Sequence, residues 1–302
     1  MAADPAQPLK DLKPTQPYFV GIDSDGCVFD TMGIKHRECF CPMLVGYFGL
    51  QPVAQAAREC KDFADLFSKT RGANRHKTAV RILRELLPSH PMVIERDFKV
   101  PKFEAYVRWV EDPKSLLSNE GLKQAIAATN NADDKAQLQQ ALKWSIRVNE
   151  LVTEIVKGIP PFPFVRECLD KLSGRADVIC CSATPTEALV REWQEHKIDR
   201  YPRVIAGQEM GTKAEHLRYA TAGKYAPGHV LMIGDAPGDL KAARSVNALF
   251  YPINPGNETS CWKRLFEEAL DKFFGCEYAG TYESRLIAEF DGYLPENPPW
   301  KK

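Results

Sequence analysis

The chain has 302 residues, enough for about two domain-sized units, and its 44% hydrophobic and 26% charged residues make an ordinary globular composition. Lys plus Arg and Asp plus Glu stand at 40 each, which removes any global electrostatic case for nucleic acid or an anionic membrane as partner. No apolar run approaches the roughly 20 residues that cross a bilayer, and nine scattered cysteines without a Cys-x-x-Cys pair fit reduced thiols better than a disulfide or zinc framework.

Residues 1–16 form a polar, proline-containing tail with no apolar core of signal-peptide length, so a cytoplasmic location is expected. The first apolar run, Tyr18 to Ile22, reads as a buried strand and is followed by two acids, Asp23 and Asp25, and then Gly26. Two carboxylates so close repel each other and are costly to desolvate, so either they point into water or something cationic sits between them.

From 33 to 157 strand-like alternation gives way to helical patterns. Leu138, Leu142 and Ile146 fall four apart, Leu151, Val152 and Ile155 continue the stripe, and Asn-Asn-Ala-Asp-Asp before it is a helix start. Trp109, Trp144 and Trp193 read as packing residues, and Cys39 and Cys41 as core rather than metal ligands. Residues 158–164, Gly-Ile-Pro-Pro-Phe-Pro-Phe, form a stiff return linker.

Four more strands are predicted within 176–184, 201–209, 228–239 and 247–254. Helices are predicted between them. One places Val165, Cys168, Leu169 and Leu172 on a single face, and another opens with capping-type Thr184 and Thr186. This alternation implies a doubly wound parallel sheet. The domain layout read from the sequence is an α/β core over 17–32 and 158–275, an all-helical insertion over 33–157, and a C-terminal extension over 276–302.

Ligands of open parallel sheets bind beyond the carboxyl ends of the strands. Those ends carry Asp23 and Asp25, Ser182, and Asp235 with Asp239, and Lys213 lies in a nearby loop-to-helix stretch, with Lys224 as a substitute. Four carboxylates in one pocket need a cation, and Mg²⁺ is the natural one because it takes oxygen ligands and shares them with phosphate. Ser182 and Lys213 are of the right types to hold a phosphate, Asp23 to attack phosphorus, and Asp25 to move a proton.

Asp-Ser-Asp-Gly-Cys-Val-Phe-Asp-Thr, Val-Ile-Cys-Cys-Ser-Ala-Thr, the lysine of Gly-Thr-Lys-Ala-Glu-His-Leu and Gly-Asp-Ala-Pro-Gly-Asp resemble, in order, the four motifs of the haloacid dehalogenase (HAD) superfamily. The resemblance implies a Rossmann-like core with a helical cap inserted after the first motif. It implies Asp23 as nucleophile and Asp25 as acid and base, with Ser182 and Lys213 as phosphate ligands. It implies Mg²⁺ held by Asp23, the Asp25 carbonyl and Asp235, with Asp239 as a ligand or behind the ligands. An acid at the position of Asp25 favours phosphate esters over carbon–halogen bonds. Lys69 to Lys77 resembles a cap specificity loop, in which Arg75, with Arg71 nearby, would meet a distal anion. Mutases of that branch usually carry a histidine where Lys35 stands, one residue before His36. The expectation is a Mg²⁺-dependent phosphatase of a small phosphorylated metabolite. Alternatives are a sugar phosphomutase of the same fold and a non-catalytic phosphate-binding protein, and oligomeric state is left open.

Overall fold

A computed structural model of the chain describes residues 4–301. Its centre is a five-stranded sheet in the order β3-β2-β1-β4-β5, all parallel. The strands are β1 (Tyr18–Ile22), β2 (Ala176–Cys181), β3 (Val204–Ala206), β4 (Val230–Gly234) and β5 (Leu249–Pro252). Each falls inside a predicted stretch, and the fold is the doubly wound α/β class expected. The strands are apolar and β-branched or aromatic because helices cover both faces of the sheet.

Alternation along the strands assigns the two faces. Val20, Ile22, Val178, Cys180, Leu231 and Ile233 pack under the helices Val165–Leu172 and Thr186–Glu195 and the helical segments between Glu258 and Phe274. Phe19, Ile179, Cys181, Met232 and Phe250 face the other way, toward the helices Lys213–Thr221 and Pro237–Ser245. The chain builds outward from β1 to β2 and β3, then returns to the far side of β1 for β4 and β5. The strand order therefore reverses between β1 and β4, and a crevice opens at the carboxyl ends of those two strands.

The chain divides into two compact units. One comprises the residues up to Met32 with Gly158–Leu294, and the other comprises Gly33–Lys157 with the residues from Pro295 onward. Within the second unit the helix Ala132–Ile155 is capped by Asn131, whose side-chain oxygen accepts the amides of Asp133 and Asp134, each at 2.9 Å. Its core is aromatic. Trp144 packs edge-on to Phe48 and His76, and His76 meets the Tyr106 hydroxyl at 2.9 Å. Burial, with Arg75 alongside, pushes the His76 pKa down to about 3, so this imidazole is a neutral core group.

The C-terminal stretch has two roles. The helix Thr281–Tyr293 lies against β5, and the Glu283 carboxylate accepts the Phe250 amide at 2.9 Å while Tyr278 donates to the Phe250 carbonyl at 2.7 Å. Those two contacts occupy the outer edge of an edge strand. Beyond Leu294 the chain joins the helical unit, where Arg81 donates to the Glu296 carbonyl at 2.8 Å and Trp300 packs on Phe63 and His90.

The opposite end of the chain is also pinned. Asp177, 1% exposed on β2, accepts the Thr15 amide (2.8 Å) and hydroxyl (2.5 Å), the Gln16 amide (3.2 Å), the Tyr225 hydroxyl (2.8 Å) and Arg203 (2.8 Å). Burial alone would raise the Asp177 pKa. The donors from Thr15, Tyr225 and Arg203 outweigh it and lower it. A carboxyl depressed in the folded state stabilises above its unfolded pKa of about 3.9 and loses that stabilisation as pH falls through the folded value. Asp177→Asn is expected to cost about 2 kcal/mol at neutral pH and to flatten the acid limb of stability below about pH 4. Urea unfolding of both proteins across pH checks this, and a penalty equal at pH 3 and pH 7 would contradict it.

Candidate active site

The carboxyl end of β1 delivers Asp23 into the crevice, and the register fixes its neighbours. Ile22 sits beside Cys180 of β2 and Ile233 of β4, and the Asp23 amide donates to the Ile233 carbonyl at 3.0 Å. Ser182 follows the end of β2 and Asp235 follows the end of β4, so three strand ends bring these residues to one edge.

Lys213 opens the helix Lys213–Thr221, which Thr212 and Glu215 fix with a reciprocal cap. Its ammonium lies 2.6 Å from Asp23 Oδ2 and 2.6 Å from Asp239 Oδ1. The other Asp239 oxygen accepts the amides of Asp235 (3.2 Å) and Ala236 (3.0 Å), ahead of the helix Pro237–Ser245. Asp239 is thus an N-terminal cap of that helix and also a partner of Lys213. Gly234 permits this, because a Cβ there would lie 2.4 Å from the Asp239 Cβ.

Ligand oxygens of Asp23, Asp235 and Asp239 lie within 4.8 Å of one another, and all three side chains are buried. Two of these carboxylates, Asp23 and Asp239, share the Lys213 ammonium, with Asp235 close by. Burial opposes the Lys213 charge, but Asp23, Asp239 and Asp235 outweigh it and raise its pKa well above the usual lysine value. Burial, with Asp239 and Asp235 nearby, pushes the Asp23 pKa up, and Lys213 pulls it down. At 2.6 Å the Lys213 ammonium and the Asp23 carboxylate form a charge-assisted hydrogen bond. The remaining negative charge is what a divalent cation would neutralise, and the all-oxygen donor set suits Mg²⁺.

Asp25 is held differently. Its Oδ1 accepts the Thr31 hydroxyl and its Oδ2 the Thr184 hydroxyl, each at 2.5 Å. Gly26, at φ 75°, turns the chain immediately after it, and the Gly26 amide closes the turn on the Phe29 carbonyl at 2.8 Å. Ser182 Oγ accepts the Thr184 amide at 3.2 Å, so its hydroxyl proton is not spent on that contact.

Several of these partners were missed in the sequence. Thr184 and Thr186 read there as helix caps. The helix Thr186–Glu195 instead starts without a side-chain cap. Thr184 serves Asp25 and the Thr186 hydroxyl donates to Glu209 at 2.9 Å. Trp193 packs against Phe29, and its indole N–H also donates to Ser24 Oγ at 3.0 Å. Ser24 in turn faces Glu192 at 3.3 Å, and its amide donates to Asp23 Oδ1 at 2.8 Å. Ser24, the one residue between the two acids, is therefore anchored from the helix after β2.

Arg71 and Arg75 lie in the helical unit. Arg71 is buried and donates to the Leu66 carbonyl at 2.9 Å. Arg75 donates to Asn149 at 2.7 Å and stacks on Phe40, and burial pushes its pKa down to about 10. His36 meets Asp65 at 2.7 Å, and the same carboxylate pairs with buried Lys61. Lys224, the substitute for Lys213, donates to the Tyr219 and Lys10 carbonyls instead.

No protein-family model matches the chain, and no curated protein matches it. Solved structures do. A HAD-superfamily hydrolase of subfamily IA from Geobacter sulfurreducens is 17% identical, with 80% of this chain and 89% of that one covered and a TM-score of 0.38. A haloacid dehalogenase-like hydrolase from Streptococcus pneumoniae is 14% identical over 83% and 92%, at 0.40. A protein described as a predicted phosphatase from Clostridium acetobutylicum is 13% identical over 85% and 100%, at 0.43. By its ordered motifs, the chain resembles hydrolases of the HAD superfamily.

Removing the shared cation tests the electrostatics of the cluster. Lys213→Met takes the ammonium from two buried acids, Asp23 and Asp239, and should lower stability at pH 8 by about 3–5 kcal/mol. Acids whose folded pKa is raised contribute stability at low pH and lose it as pH rises, so the penalty should shrink toward pH 5. Chemical denaturation at both pH values measures this, and a pH-independent penalty would count against a shared lysine.

Proposed function

We propose that the chain is a Mg²⁺-dependent phosphatase acting on a small phosphorylated metabolite through a phosphorylated Asp23. The observation that carries this reading is the Lys213 ammonium bridging Asp23 and Asp239, with Asp235 in the same cluster, at the carboxyl ends of β1 and β4. The ordered motifs give independent support.

Asp23 and Asp235 would hold the metal, with the Asp25 carbonyl. Asp239 would stand behind the ligands, since one of its oxygens accepts two backbone amides and the other meets Lys213. When bound, Mg²⁺ would offset the repulsion between a carboxylate nucleophile and an anionic phosphate.

The protein's own groups account for the remaining steps. Lys213 and the Ser24 amide hold the two oxygens of Asp23, which fixes the carboxylate before phosphate arrives. The Ser182 hydroxyl and the Lys213 ammonium donate to the phosphate oxygens. An Asp23 oxygen forms a bond to phosphorus as the ester P–O bond breaks, and Asp25 gives the departing oxygen its proton. Water then attacks phosphorus, Asp25 takes a proton from it, the Asp23–phosphorus bond breaks and phosphate leaves. Thr31 and Thr184 orient Asp25 through both oxygens, and one of these hydroxyls must yield when the carboxyl turns to the leaving group.

Purified protein screened against phosphorylated metabolites should release phosphate only with Mg²⁺. Asp23→Asn should lower kcat by about a thousandfold or more, and Asp25→Asn by about a hundredfold. Asp235→Asn should weaken Mg²⁺ binding in calorimetry by about tenfold or more. Full turnover by Asp23→Asn would overturn the nucleophile assignment, and an isomerised phosphoester without net phosphate release would make the chain a phosphomutase.

A further inference from the structure

Eight of the nine cysteines are buried, and Cys276 alone is exposed. Burial pushes up the pKa of interior thiols such as Cys180 and Cys168, which keeps them protonated and inert. Cys276 has a different setting. It follows the helical segment Leu270–Phe274, and its Sγ lies 3.7 Å from His229 Nε2, on the residue just before β4. The other ring nitrogen, Nδ1, lies 3.1 Å from the Pro17 carbonyl. A carbonyl can only accept, so the ring proton sits on Nδ1 and Nε2 turns a lone pair toward the thiol.

Tyr18, the first residue of β1, holds the imidazole in place by stacking on it at 4.3 Å and 16°. The Tyr18 hydroxyl donates to the Phe274 carbonyl at 2.7 Å, so toward Sγ, 3.7 Å away, its oxygen can only accept. Arg175 stacks on Phe274 at 3.7 Å and adds positive charge beside Tyr18. An exposed nucleophile, a base within reach and a third group fixing that base together form the pattern of an activated thiol. The cluster lies at the amino-terminal edge of the sheet, the end opposite Asp23.

We propose that Cys276 and His229 form a thiol-reactive pair that exchanges with low-molecular-weight disulfides, making Cys276 a site of reversible mixed-disulfide modification. His229 Nε2 takes the thiol proton, and the Cys276 thiolate attacks one sulfur of the small disulfide. The new Cys276 S–S bond forms as the original S–S bond breaks. Cys276 is oxidised, the departing sulfur is reduced, and that sulfur leaves as a thiolate that takes the proton back from His229. The exchange does not depend on the phosphatase reading.

The test uses the reduced full-length protein with glutathione disulfide, followed by intact mass and peptide mapping. One equivalent should add at Cys276 before any buried thiol reacts, and Cys276→Ser should abolish it. His229→Gln, with its fold checked by circular dichroism, should react about tenfold more slowly. Should that variant not fold, the wild-type protein still decides the matter, because Cys276 should react about tenfold faster in the folded chain than in urea at the same pH. Modification mapping first to another cysteine, an undiminished rate in a folded His229→Gln protein, or an equal or slower rate in the folded chain than in urea would overturn the proposal.

Discussion

One ammonium shared by two buried carboxylates is the constraint on which the site depends. Lys213 reaches Asp23 from the start of one helix and Asp239 on the first turn of another, at 2.6 Å each. Desolvating three acids and a lysine is costly unless each charge is opposed and hydrogen-bonded. Asp239 meets that condition with Lys213 on one oxygen and two backbone amides on the other, and Asp23 meets it with Lys213 and the Ser24 amide. The local backbone serves the same end, since a side chain at position 234 would displace Asp239 and with it the lysine.

The sheet explains why these residues meet although they are far apart in sequence. Parallel strands align their carboxyl ends, and the reversal of strand order between β1 and β4 opens a crevice there. The chain returns to β2 after an insertion of more than a hundred residues, mostly helical, without disturbing the register of β1 against β2 or β4. Side chains also tie flanking segments to the sheet. Asp177 gathers the N-terminal segment, and Glu283 with Tyr278 covers the outer side of β5.

Much of this architecture was legible in the sequence, because buried parallel strands are short apolar runs and the acids follow them directly. The opening strand and the Gly-Asp run of β4 carry both signals in a few residues. The supporting partners were not legible. Thr184 and Asp25 are 159 residues apart, and a threonine ahead of a helix looks the same whether its hydroxyl caps that helix or grips a distant carboxylate. Trp193 shows the same limit, since its apolar spacing reveals packing and gives no sign of the indole N–H on Ser24. Asp239 read as a site residue, and the structure shows that it also accepts the amides ahead of its own helix. The C-terminal aromatics could not be placed from periodicity because their partners lie on β5 and on the helical unit.

The central claim is that Asp23 becomes phosphorylated, and the direct measurement is chemical trapping of that group. Protein turning over a phosphoester with Mg²⁺ would be quenched with borohydride, which reduces an acyl phosphate to the alcohol, and then mapped by peptide mass spectrometry. Conversion of Asp23 to homoserine, dependent on both substrate and Mg²⁺, is the expected result. Turnover with reduction at another carboxylate, or no Mg²⁺-dependent phosphate release from any phosphoester tested, would contradict it.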